Sequence, residues 1–243
     1  MLKRLVVTST CSISLLVWKK SNVSKIKSVN KSSLSITSAQ KTPEKMCSLA
    51  EEYFKRAERE SCNAKKTQLL SECKRLAEES LAIKETSEAH KLVAIARGSL
   101  VQDQPFQDQI EYAFLFKQHI EKAISLNPND GSLHHLLGRW CFEVAKINSV
   151  QRKLAAMIFS ELPTASITDA LNHFMRANEL GVEVCRENML WIARCFEIKN
   201  MPLKVMQWVQ KALSTRSKED KPEVEKELNK LKFRYHSQFC KFL

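Results

Sequence analysis

At 243 residues and a formal charge of +12, the chain is long enough for a substantial core and is strongly basic as a whole. Only four glycines occur, and neither a P-loop nor a GxGxxG stretch is present, which excludes the usual phosphate-cradling loops and dinucleotide folds. The charge is lopsided: residues 1–43 hold eight Lys or Arg and no acid, leaving +4 for the other 200 residues, so nucleic-acid binding is not expected of the folded part.

Residues 1–43 are also rich in Ser and Thr, which suits a mitochondrial transit peptide or a disordered cationic arm that stays attached. The uncharged run 5–18 has a weak secretory look, but Thr8, Ser9, Thr10, Ser12 and Ser14 interrupt it and it is too short to span a bilayer. Thr42-Pro43-Glu44 then reads as a helix start: an N-cap, a proline at the first helical position and an acid in the first turn. Met46, Leu49, Ala50, Tyr53, Phe54 and Ala57 follow at helical spacing. Leu69, Leu70, Cys73, Leu76, Ala77 and Leu81 predict a second helix, and Ala89, Leu92, Val93 and Ala96 a third. Beyond Gln104-Pro105, Ile110, Ala113, Phe114, Ile120, Ala123 and Ile124 predict a fourth, closed by the turn from Asn127 to Gly131.

The next helix carries Leu133, Leu136, Leu137, Trp140, Cys141 and Val144. A segment with Val150, Leu154, Met157 and Ile158 on one stripe and Gln151, Arg152 and Lys153 opposite follows, stopped at Leu162-Pro163. Ser166, with Asp169 three residues on, caps a helix whose apolar face is Ile167, Ala170, Leu171, Phe174 and Ala177. Leu137, Gly138 and Cys141 supply a large–small–large set, and Ala170, Phe174 and Ala177 a small–large–small one, the pattern of the two helices of a tetratricopeptide (TPR) repeat. Met189, Ile192, Ala193 and Phe196 repeat the first set, and Val205, Val209 and Ala212 the second. Twelve residues separate Ala193 from Val205, but thirty-two separate Gly138 from Ala170, so about one extra helix is wedged into the earlier repeat. Val224, Leu228, Leu231, Tyr235, Phe239 and Phe242 form a closing helix. The expectation is an all-α, TPR-like α-α superhelix of about nine to ten helices over 44–243, with one inserted helix and a disordered basic segment 1–43 ahead of it.

No catalytic constellation stands out, and no enzyme activity, metal or cofactor is expected. His134 and His135 are neighbours whose rings leave the helix in different directions, and His236 with Cys240 offers two ligands only. The eight cysteines form no CxxC and read as reduced thiols packed in apolar faces. Trp140, Trp191 and Trp208 sit among dense apolar neighbours and read as packing residues. The candidate binding feature is a register: the residue after the small position of a first helix faces the hollow side of such a superhelix. That residue is Arg139 after Gly138 and Arg194 after Ala193, and Arg97 joins them if Ala96 is the small position of the third helix. With His135 and Phe142 flanking, these guanidiniums would hold carboxylates or phosphates by forked hydrogen bonds.

The stretches HIEKAISLNPND, LLGRWC, QRKLAAMIF, LPTASITDAL and FMRANEL together resemble the regulator of microtubule dynamics family, over about 47–215. The wedge with its QRK is the distinctive part, since ordinary TPR proteins lack it. The resemblance implies a TPR-like helical protein of the cytoplasm, cytoskeleton and spindle pole, with tubulin or microtubules as partner. Some relatives carry an N-terminal membrane segment, and one sits at contacts between mitochondria and the endoplasmic reticulum. This implies an alternative, a mitochondrial or contact-site protein with an anionic phospholipid in its groove. The region ahead of the third helix looks shorter than in typical members, and 1–43 holds no convincing membrane span.

Overall fold

The computed structural model describes residues 42–100, 106–148, 152–153, 156–157, 162–182, 185–215 and 222–239. The basic segment, apart from Thr42 and Pro43, lies outside these residues, as does most of the wedge. Within the wedge, Arg152, Lys153 and Ala156 are helical, and Met157, placed by its periodicity on an apolar stripe, is 83% exposed.

Among the described residues the chain is all helix, and nine helices form. These are α1 Pro43–Arg59, α2 Asn63–Ile83, α3 Ser87–Leu100, α4 Phe106–Leu126, α5 Gly131–Ala145, α6 Ile167–Glu179, α7 Cys185–Ile198, α8 Pro202–Ser214 and α9 Pro222–Phe239. Each packs on the next, and α1 also meets α3, α5 meets α7, and α7 meets α9. Cross-helix hydrogen bonds show how pairs are aligned. Ser87 at the start of α3 donates its hydroxyl to the Ala123 carbonyl near the end of α4, while Tyr112 early in α4 donates to the Ala94 carbonyl. The two helices therefore run antiparallel.

Helix ends follow local chemistry. The Thr42 hydroxyl accepts from the Lys45 amide, and Pro43 needs no partner at its missing N–H. Asp130 caps α5 by accepting from the Ser132 amide. Ser166 and Asp169 close a full capping box on α6: the Ser166 hydroxyl accepts from the Asp169 amide at 3.1 Å, and the Asp169 carboxylate accepts from the Ser166 amide at 2.8 Å. These bonds hold the Asp169 carboxyl below its ordinary range, with the Ser166 side chain the largest cause. Ser166→Ala is expected to lower unfolding free energy by about 1 kcal/mol, read by chemical denaturation. The C-termini of α6 and α7 share one device. Gly181 (φ 71°) and Asn200 (φ 53°) take left-handed backbone. The following amides, of Val182 and Met201, reach back to the carbonyls of Ala177 and Phe196.

The sequence places the start of the second helix near Leu69, but α2 begins at Asn63, with no side-chain cap at Cys62. Its first turns are polar and carry no apolar stripe to read. Two apolar clusters form. One joins α1 and α2 to α3 through Met46, Ala50, Cys73, Leu76, Leu92 and Val93. The other runs through α4–α9 and takes in Ala94 of α3. Within the second, Gly138 does more than allow helices to approach. A Cβ at that position would lie 2.8 Å from two ring carbons of Phe174, so the aromatic ring occupies the space a side chain would need. The described cysteines are free, and Cys47, Cys73, Cys141 and Cys195 are buried. Burial pushes the thiols of Cys73, Cys141 and Cys195 up to about 12, which keeps them protonated and unreactive. No described helix is long and apolar enough to cross a membrane.

Candidate functional site

Residues 135, 139 and 142 lie at i, i+4 and i+7 on α5, and residues 187, 191 and 194 repeat that spacing on α7. Such residues share one helix face, so two stripes oppose each other where α5 meets α7. The imidazole of His135 donates from Nδ1 to Oδ1 of Asn188 at 2.9 Å, because an amide oxygen can only accept. Asn188 in turn donates from Nδ2 to the Phe174 carbonyl at 2.8 Å, tying α5, α6 and α7 together. Phe142 meets Trp191 edge-on, with ring centres 5.1 Å apart. Phe174 stacks on Trp191 at 6.1 Å.

Two of the three candidate arginines converge on that tryptophan. The guanidinium of Arg139 lies 4.9 Å from the centre of the Trp191 ring, and that of Arg194 lies 4.7 Å from it. They differ in access. Arg139 is 2% exposed and pairs with Glu187 at 3.2 Å, and its Nε makes no hydrogen bond among the described residues. Burial lowers the affinity of its guanidinium for the proton, an effect opposed chiefly by the Glu187 charge. The side chain of Arg194 is 28% exposed and meets Glu227 of α9 at 3.3 Å. Glu143, one turn along α5 from Arg139, has its carboxyl pushed up by burial, while Lys146, Arg139 and Arg194 pull it down.

Arg97 does not join this group. Its Nε and Nη2 both donate to Oε1 of Glu78 on α2, at 2.9 and 2.5 Å. Two histidine pairs explain its place. His90 of α3 meets His119 of α4 with Nδ1 atoms 2.8 Å apart, and His134 of α5 meets His173 of α6 at 3.5 Å. Each first-helix histidine stands four residues before a small residue, Ala94 in α3 and Gly138 in α5. That alignment puts Ile95 at the place of Arg139, and Arg97 two residues further on.

The histidine pairs had no signal in the sequence, since partners are 29 and 39 residues apart. His119 and His173 are held below the ordinary value of 6.5, first by burial and then by the partner imidazole. Glu78 and Arg97 act on His119 with opposite signs, and Asp169 and Glu121 oppose the shift at His173. The unfolded chain therefore takes up protons first as pH falls through 6.5. Stability is fully present above that value and declines below it. The thermal midpoint is expected to be lower at about pH 5.5 than at about pH 7.5, and replacing both His119 and His173 by Gln is expected to flatten the difference.

Trp140 serves packing, donating its indole N–H to the Ala113 carbonyl at 2.9 Å. Trp208 is half-buried, with Lys211 over its ring. Among the described residues no group of three or more His, Cys, Asp or Glu could hold a metal. Cys240 and the side chain of His236 lie outside them.

A family model described as regulator of microtubule dynamics protein 1-3 matches residues 17–235. Among similar proteins, regulator of microtubule dynamics protein 3 of Xenopus laevis is 39% identical over 113 residues, covering 46% of this chain and 24% of that protein. Human regulator of microtubule dynamics protein 2 is 32% identical over 144 residues, covering 58% of this chain and 35% of that protein. The mouse protein 3 is 31% identical over 128 residues, covering 53% and 27%. In these alignments the chain spans about a quarter to a third of each relative's length.

Proposed function

The chain belongs to the regulator of microtubule dynamics family, and from that premise we propose that it is a non-enzymatic helical-repeat protein that attaches to the acidic surface of microtubules through basic patches. The observation that carries this reading is the pair of guanidiniums laid over Trp191. A cation stacked on an aromatic ring keeps its charge and its N–H edge while losing rotational freedom, so a carboxylate meets a pre-ordered donor. In this reading Arg194 makes the contact, being partly open to solvent. Arg139, His135 and Phe142 stand behind it and fix the ring. Arg97 adds a separate half-buried cation, and the eight basic residues of 1–43 add long-range attraction.

Attachment of this kind is steered by charge and weakened by salt. The test is co-sedimentation of the full chain with microtubules at low and at raised ionic strength. Pelleting that falls as salt rises is expected, with deletion of 1–43 reducing it and Arg194→Gln reducing the remainder. Pelleting indifferent to salt, or none, would falsify the reading.

A further inference from the structure

Both arginines of α7 already carry carboxylates of the same chain. Arg186 meets Glu225 of α9 at 3.9 Å, and Arg194 meets Glu227 of α9 at 3.3 Å. Building on the proposed attachment to acidic surfaces, we infer that Glu225 and Glu227 are internal competitors, occupying Arg186 and Arg194 in place of an acidic polypeptide segment and setting how strongly such a segment binds.

Three features make the exchange feasible. The carboxylates are wet: Glu225 and Glu227 have 55% and 38% of their side-chain surface exposed, so their hold on arginine is screened. Their release does not undock α9, because Leu228 and Leu231 are buried in the main apolar cluster, and Arg234 and Tyr235 fasten the far end of the helix to Glu197. Glu227 also has a second partner ready. Its Oε1 lies 2.6 Å from Nζ of Lys230, one turn along, while Oε2 faces Arg194. When an incoming carboxylate takes Arg194, Glu227 keeps Lys230, and the guanidinium stays on Trp191. Neither Glu227 nor Arg194 is stranded in either state.

The spacing specifies the ligand. Residues 186 and 194 are eight apart on one helix, which sets their backbones about 12 Å apart. An extended chain covers that span in about four residues. The partner that fits is an extended polypeptide with carboxylates about four residues apart, not a single compact anion.

The test uses the full chain and a fluorescein-labelled oligoglutamate peptide of about ten residues, read by fluorescence anisotropy at low salt. Glu225→Gln with Glu227→Gln keeps shape and removes both charges, and is expected to tighten peptide binding by about two- to tenfold. Arg194→Gln in that background is expected to remove most of the gain, and Arg186→Gln with it the rest. Equal or weaker binding by the glutamine variant overturns the inference, as does a gain that survives removal of both arginines, or a gain seen with phosphatidylserine vesicles but not with the peptide. If the double variant loses helical signal, Glu227→Gln alone is judged by the same outcomes. The two readings separate cleanly. Salt-sensitive pelleting with microtubules alongside an unchanged glutamine variant removes only the competition, whereas absence of binding to both peptide and microtubules removes both.

Discussion

Phe174→Ala is expected to lower the free energy of unfolding by about 3–5 kcal/mol, measured by urea denaturation. The ring is fully buried, stacks on Trp191, leans against His135 at 5.7 Å and fills the space above Gly138. The hydrogen bonds of Asn188 tie α5, α6 and α7 together, which limits how far they can close on the space left behind. The same contact predicts the reverse experiment. Gly138→Ala forces a methyl group to within 2.8 Å of the ring, which is expected to destabilise the fold by about 1–3 kcal/mol through overpacking. Combining Gly138→Ala with Phe174→Leu is expected to be less damaging than the sum of the two, since the smaller side chain vacates the contested space. A Phe174→Ala loss below about 1 kcal/mol would show that this contact is not where the helices are fixed.

The second large effect concerns Glu187. Removing it by Glu187→Ala leaves the guanidinium of Arg139 buried without its carboxylate, and a loss of about 3–5 kcal/mol is expected. Arg139→Met is expected to be milder than Glu187→Ala. It deletes the buried charge together with the need for a partner, and keeps a flexible apolar side chain against Trp191. The order of the two variants is the informative result. If Arg139→Met proves the more harmful, the arginine contributes stability beyond what its carboxylate neutralises.

Much of the fold was legible because apolar spacing and end signals agree along the chain. Thr42-Pro43, Ser166 with Asp169, and the small residues Gly138, Ala170 and Ala177 each had a local meaning that the packing follows. The start of α2 was not legible, since its first turn has neither a cap nor an apolar stripe. Part of the candidate site was legible too. The register after the small positions singled out Arg139 and Arg194 but carried no hint that both would lie over Trp191, which its dense apolar neighbours assigned to packing. Glu187 and Asn188 went unnoticed because their importance comes from facing α5 and not from any motif. Arg97 stood apart for a related reason. The alanines of α3 offer two registers two residues apart, and the histidine pair that distinguishes them joins residues 29 apart in the chain.

The position of α3 has a consequence for how the molecule comes apart. Its Leu92 and Val93 belong with α1 and α2, while Ala94 belongs with everything that follows. The pair α1–α2 is therefore expected to fray as one cooperative unit, which would bare one flank of α3 without touching the tyrosine bond to Ala94 that holds the opposite flank. Amide protons of α1 and α2 would then exchange ahead of those in α5–α7, and the unit that carries Trp191 would outlast the unit nearest the basic residues 1–43.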